Sequence, residues 1–322
     1  MDLRSGRMRY GLSRRYSGLG RRIGAWLELF RLPNLLTVPG DALAGACLVS
    51  LLTGKHVSVW ELLGVGLCVL LLYAMGLVQN DWVDLAEDRY HRPERPLPSK
   101  RISTSATAIA FLICFLAGLL VAFCNGREVL VSAVLLCGLI WTYNLVLKKR
   151  FYGGAVCMGL CRGMSLLLGA STVGWHLGII PVFLGLTGYV FFVTWFAAGE
   201  NRRQIPTGKV FLPMLCFAGS WLLNLPVLIY YHREISSTSL ILSAGCFVLA
   251  LLASGSAALR VYNRSVRAEE MRHFIGALLR GLLPWQAAWL VLSDGTWTVI
   301  VMLILLQLWP LTILLNREFS QS

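Results

Sequence analysis

Nine consecutive positions, Asn80-Asp81-Trp82-Val83-Asp84-Leu85-Ala86-Glu87-Asp88, carry four carboxylates and one amide, and nowhere else in the chain do acids gather this way. Asn80, Asp84 and Asp88 recur every four residues, so on a helix their side chains line one face and aim oxygen atoms at a shared spot. Groups of like charge held so close repel unless a cation sits among them. Hard oxygen donors suit Mg²⁺, which takes one or two protein carboxylates and completes its shell with water and substrate phosphate. The plain alternative is a solvated helix end rich in acids.

A basic loop follows at once, from Arg89 to Ser103. Arg95, Lys100 and Arg101 lie where an anion bridged to the metal would find charge-assisted donors, and Pro93, Pro96 and Pro98 limit the loop's freedom. Arg89 and Arg92 read better as topological anchors, and an anchor with a proline turn is the competing reading for the whole loop.

The elements that position these groups are membrane helices. Hydrophobic residues make up 57% of 322 and charged residues 14%, and the mean hydropathy is +0.67, a balance that excludes a soluble domain and predicts a polytopic membrane protein. Apolar runs of about 20 residues, enough to cross roughly 30 Å of hydrocarbon, fall near 33–53, 60–79, 104–124, 128–147, 153–173, 178–198, 210–230, 238–258 and 297–315. The stretch 274–292 is also apolar but carries Arg280, Pro284 and Gln286. It reads either as a half re-entrant segment or as the true ninth span, with 297–315 then the tenth. The expected fold is an all-α polytopic membrane bundle of nine helices, or ten, forming one domain over 26–322 behind a basic tail at 1–25.

Lys and Arg gather in the tail, in the loop after Asp88, at Lys148, Lys149 and Arg150, at Arg202, Arg203 and Lys209, and from Arg260 to Arg272. A cytoplasmic N-terminus satisfies all of these at once and puts the acidic cluster on the cytoplasmic side. The net charge of +13 is therefore topological, with no nucleic-acid footprint, although the tail can touch anionic lipid. That tail lacks the apolar core and cleavage site of a secretory signal peptide and reads as a retained extension. Nine cysteines all fall in expected spans without metal-ligand or disulfide spacing, and five histidines stand singly in loops.

Asn80-Asp81-x-x-Asp84-x-x-x-Asp88 followed by Arg95-Pro96-Leu97-Pro98-Ser99 resembles the first aspartate-rich motif and trailing Arg-Pro-Leu segment of the UbiA superfamily of intramembrane prenyltransferases. Further resemblances cover most of the chain. Arg31-Leu32-Pro33-Asn34 is similar to the opening segment, whose Asn faces the central cavity; Tyr143 to Lys148 resembles the Tyr-plus-Lys element ending the fourth span; Gly159-Leu160-Cys161-Arg162-Gly163 resembles the Gly/Arg segment of the fifth. A charge as deep as Arg162 marks a cavity or bound anion by default, with pairing inside the bundle as the alternative. Asp41, also at membrane depth, is either a cavity residue or a partner for Arg162 or Arg31.

The superfamily's second motif, Asp-x-x-x-Asp at the end of the sixth span, is degenerate here. Ala197 and Asn201 replace the aspartates, Glu200 is the one nearby carboxylate, and Arg202, Arg203, Lys209 and the Leu212-Pro213 ending remain. This degeneracy looks most like the divergent EboC-type branch, which implies a bacterial cytoplasmic membrane.

The resemblance implies transfer of a prenyl group from a polyprenyl diphosphate to a small aromatic or polar acceptor, with Mg²⁺ as cofactor. It implies metal ligands among Asn80, Asp81, Asp84, Asp88, Glu200 and Asn201, and a diphosphate grip from Asn34, Arg95, Lys100, Lys148, Arg162, Arg202, Arg203 and Lys209. Asp84, Asp88 and Tyr143 would be catalytic, Tyr143 as a ring facing the allylic cation. Two other readings compete. CDP-alcohol phosphotransferases also space aspartates by four, but their Gly-Ala-Arg segment is missing. A catalytically impaired homologue that binds or transports an isoprenoid lipid would explain the lost second motif.

Overall fold

The computed structural model describes residues 18–199, 207–231, 235–264, 266–293 and 295–319. All elements among them are helical. After α1 (Gly18–Leu29) and the single turn α2 (Leu32–Leu35) come α3 (Pro39–Thr53), α4 (Val59–Val83), α5 (Leu85–His91), α6 (Thr104–Cys124), α7 (Arg127–Thr142), α8 (Phe151–Ala170), α9 (Ile180–Ala198), α10 (Leu212–Tyr230), α11 (Ser237–Val261), α12 (Ala268–Leu290) and α13 (Thr296–Phe319).

Ten stretches among the described residues are long and apolar enough to cross a bilayer, beginning with Leu32–Thr53 and ending with Thr296–Leu314. The larger of the two expected counts holds. The half re-entrant reading of 274–292 is corrected, because α12 runs unbroken through Pro284 and is enclosed by its neighbours from Gly281 to Leu290. Its polar Gln286 is tolerated there because the amide donates to the Thr37 carbonyl at 2.7 Å and to Asp41 Oδ1 at 2.6 Å.

The Thr37 carbonyl lacks its helical donor because Asp41 N, four residues on, donates to Val38 O at 3.2 Å instead, where the first span is broken at Pro39. Thr37 O accepts from both Arg162 Nη2 and Gln286 Nε2.

Two features set the acidic cluster in place. Ser58 and Glu61 cap α4 reciprocally, Ser58 N donating to Glu61 Oε2 at 2.7 Å and Glu61 N to Ser58 Oγ at 3.2 Å. At its other end α4 extends past the expected boundary at 79 to Val83, so Asn80 and Asp81 occupy its last turn. Asp84 forms the joint with α5, yet the helical ladder continues through it, with Asp84 N on Asn80 O and Asp88 N on Asp84 O.

Close helix approach relies on small residues, as expected for Gly40 to Ala46. A side chain added at Gly45 would strike the Leu166 carbonyl, and one added at Gly169 would strike the Ala42 carbonyl, so α3 and α8 touch through backbone at two levels. Gly169→Val is therefore expected to force these helices apart at a cost of about 1–3 kcal/mol. A thermal unfolding curve in detergent with an unchanged midpoint would refute this packing.

The second half is filled by aromatics. Tyr189 stacks on Phe217 at 3.7 Å, Phe217 on Trp285 at 5.1 Å, and Trp285 meets Trp289 edge-on. All four are essentially inaccessible. Of two tryptophans expected as interface anchors, Trp60 is exposed at the start of α4, whereas Trp221 stacks on Phe247 inside the bundle.

Candidate active site

A cavity opens among α4, α7 and α8, with about 640 Å³ of space counted up to its open side. From α4 come Val69, Tyr73, Gly76, Leu77 and Asn80; from α7, Leu136 and Ile140; from α8, Met158, Cys161, Arg162 and Ser165. Tyr143 and Asn144 come from a π-helical turn, Tyr143–Leu147, that ends the fourth span. Such turns insert one residue into a helix and recur at functional sites. Here the turn is pinned by Asn144, whose Nδ2 donates to Gly76 O at 3.0 Å and Gln79 Oε1 at 2.9 Å.

Charges at the mouth are paired. Asn80 donates to Asp81 Oδ1 at 3.3 Å and to Asp84 Oδ2 at 3.4 Å. Lys148 Nζ lies 3.0 Å from Asn80 Oδ1 and also contacts Asp84 Oδ1. Arg31, which lines the cavity, reaches Asp81 Oδ1 at 3.2 Å. It does so from a left-handed backbone (φ 45, ψ 55), a conformation rare outside Gly and Asn and most often held where function requires it. Asp88 accepts from Arg95 Nη1 at 2.7 Å, which ties the proline-rich loop back to α5.

At the inner end Arg162, 5% exposed, closes an ion contact of 2.6 Å from Nε to Asp41 Oδ2. The pairing alternative stated for Asp41 holds, with Arg162 as the partner. Arg162 also lines the cavity, so the residue is both paired inside the bundle and cavity-facing.

The expected residues divide into three groups. Asn80, Asp81, Asp84, Tyr143, Lys148 and Arg162 come together at or around the cavity. Asn34 is displaced from the cavity wall: it lies in α2, half-buried, and its carbonyl caps Thr37, while Arg31, three residues earlier, lines the cavity instead. Lys100 is exposed, also with a left-handed backbone, and Lys209 lies over the Trp195 ring at 5.4 Å. Asp88 and Arg95 engage each other at the loop. Glu200, Asn201, Arg202 and Arg203 lie outside the described residues.

Of the four metal ligands expected in the first acidic cluster, Asn80, Asp81 and Asp84 gather at the mouth, whereas Asp88 is turned to Arg95. Among the described residues no group of three or more His, Cys, Asp or Glu could hold an ion alone. Two carboxylates and one amide nevertheless match the small protein share of a Mg²⁺ shell, and the Lys148 ammonium already sits as a cation between Asn80 Oδ1 and Asp84. The donor chemistry fits.

The UbiA prenyltransferase family profile matches residues 42–204. Ten apolar spans and that match together make this chain an integral membrane protein belonging to the UbiA prenyltransferase family. Among curated relatives, digeranylgeranylglyceryl phosphate synthase of Methanococcus maripaludis (strain C7) is 32% identical over 153 residues, 47% of this chain and 54% of that protein. The Sulfolobus acidocaldarius protein of the same name is 32% identical over 174 residues, 53% of this chain and 60% of that protein. The chain thus spans about half the length of the curated relatives it matches.

Among solved structures, a UbiA homologue from Aeropyrum pernix K1 superposes with a TM-score of 0.62 at 14% identity, covering 79% of this chain and 96% of that one. A UbiA homologue from Archaeoglobus fulgidus bound to DMAPP and Mg²⁺ gives 0.52 at 13% identity, covering 82% and 98%. These share the fold. The finer expectation of an EboC-type branch and a bacterial source finds no support, since the relatives named here are archaeal.

Proposed function

We propose that this chain is an intramembrane prenyltransferase that moves an isoprenyl group from a polyprenyl diphosphate to a small acceptor. In this reading one domain over 26–322 carries the activity behind the tail at 1–25, and the mouth faces the cytoplasm, as the Lys and Arg distribution favours. The observation that carries the reading is the cavity itself, which has an apolar wall of Val69, Leu77, Leu136, Ile140 and Met158 beneath a mouth of Asn80, Arg31 and Lys148. Such a site suits a molecule with a hydrocarbon part and an anionic head. The names of the archaeal relatives and the prenyl diphosphate bound by the Archaeoglobus homologue support it.

Arg31 and Lys148 would bind diphosphate oxygens by charge-assisted donation. The apolar wall would keep water from the allylic carbon, and the Tyr143 ring would face the positive charge that develops there. The carbon–oxygen bond to the diphosphate breaks with its electron pair leaving on pyrophosphate; the acceptor forms the new bond at that carbon and loses a proton. Asn80, Asp81 and Asp84 would hold Mg²⁺, which when bound neutralises the departing diphosphate.

A binder without turnover is favoured by one observation: Asp81, Asp84 and Asp88 each already have a cationic side chain as partner. Pyrophosphate release by the protein in lipid nanodiscs separates the two. With polyprenyl diphosphates of ten to twenty carbons and a panel of phenolic and glycerol-ether acceptors, Mg²⁺-dependent release is expected. Mg²⁺-dependent binding of the same diphosphates without release under any acceptor would favour the binder.

A further inference from the structure

The inner end of the cavity has a chemistry that the diphosphate reading leaves unused. Arg162 carries five N–H donors. Nε meets Asp41 Oδ2 at 2.6 Å as an ion contact without hydrogen-bond alignment, Nη1 donates to Thr37 Oγ1 at 3.3 Å and Nη2 to Thr37 O at 3.0 Å. The second N–H of Nη1 and that of Nη2 therefore have no protein partner among the described residues, on a side chain that lines the cavity beside Tyr73 and Ser165.

Three contacts from two residues, Asp41 and Thr37, fix the guanidinium. Asp41 is wholly inaccessible and Gln286 binds both Asp41 Oδ1 and the carbonyl that Arg162 also uses. Gln286 comes from α12, so the set ties the cavity to a helix that does not itself line it among the described residues.

Two constraints select what the free N–H groups receive. A prenyl chain is hydrocarbon, and laid against Arg162 it would leave buried donors unpaired at the full desolvation cost. An anion is disfavoured too, because Asp41 already neutralises Arg162 and an added negative charge would stand uncompensated in a low-dielectric site. An uncharged oxygen acceptor, a hydroxyl or carbonyl, satisfies both.

We propose that the inner end of the cavity recognises an uncharged hydroxyl or carbonyl oxygen of the acceptor through Arg162, with Asp41 and Gln286 as positioning residues. This rests on the prenyltransferase reading for the word acceptor, but its test is a binding measurement that needs no turnover.

The probes are matched pairs: hydroquinone against 4-hydroxybenzoate, and an alkylglycerol against the same alkylglycerol phosphate. Ligand-induced stabilisation of the protein in nanodiscs reports each affinity, and geranylgeranyl diphosphate binding is measured alongside. The variant is Asp41→Asn/Arg162→Gln, which removes both charges together and so avoids a buried unpaired ion; Gln286→Ala is the second. The uncharged member of at least one pair is expected to bind the wild type more tightly. Its affinity is expected to fall about tenfold in the double variant and less in Gln286→Ala, with diphosphate affinity within about twofold of wild type in both. Tighter binding of the anionic members, binding of none of the probes, or loss of diphosphate affinity in the double variant overturns the inference. Absence of pyrophosphate release with these affinities intact removes the transferase reading and leaves the oxygen site standing.

Discussion

Asp84→Asn is expected to lower Mg²⁺-dependent pyrophosphate release by at least about a hundredfold. Asp84 sits at the joint of α4 and α5, shares Asn80 with Asp81 and contacts Lys148 from the far end of the fourth span. The substitution keeps size and hydrogen bonding but removes the charge, so the site loses one anionic metal ligand and Lys148 loses its counter-ion. Diphosphate binding measured without Mg²⁺ is expected to hold or strengthen, since a lysine freed from its partner is a better phosphate donor. Release that survives unchanged would remove Asp84 from the chemistry and return the acidic cluster to a solvated helix end.

The second large effect is on stability. Asp41→Ala strands the Arg162 guanidinium among buried groups, and breaking such a pair from one side costs about 3–5 kcal/mol. An apparent Tm lower by roughly ten degrees is the expected reading in detergent. Asp41→Asn/Arg162→Gln is expected to recover most of that loss, because the cost lies in the uncompensated charge more than in the missing attraction. If the double variant is no more stable than Asp41→Ala, the pair is held by shape and not by charge.

The fold was readable because apolar runs of span length are long-range averages that single polar residues do not disturb. Where single residues decided, as at Pro284 and Gln286, the sequence left a half re-entrant segment and a full span both open, and the partners of Gln286, Asp41 on α3 and the Thr37 carbonyl, show how a continuous helix accommodates its amide. The acidic cluster was legible because its spacing lies within about two helical turns, Arg162 because a charge inside an apolar span stands out, and Tyr143 and Lys148 only through the family resemblance. Arg31 was not, since its place on the cavity follows from a left-handed backbone at one residue and from Asp81, fifty positions away. The departure of Asp88 from the expected ligand set was also hidden. Helical spacing puts Asp88 in line with Asp84, but the loop folds Arg95 back onto it.

Among the described residues the cavity is lined by Arg31 and by the second, fourth and fifth spans, while the second half is packed with the buried rings of Tyr189, Phe217, Trp285 and Trp289. The molecule therefore separates a variable chamber from a fixed buttress. Changes in what the chamber accommodates are open at Val69, Leu77, Leu136, Ile140 and Met158, where a methyl more or less reshapes empty space. The same change among the stacked rings would be read as strain throughout the later helices. Selection or engineering for a new acceptor has its room on α4, α7 and α8.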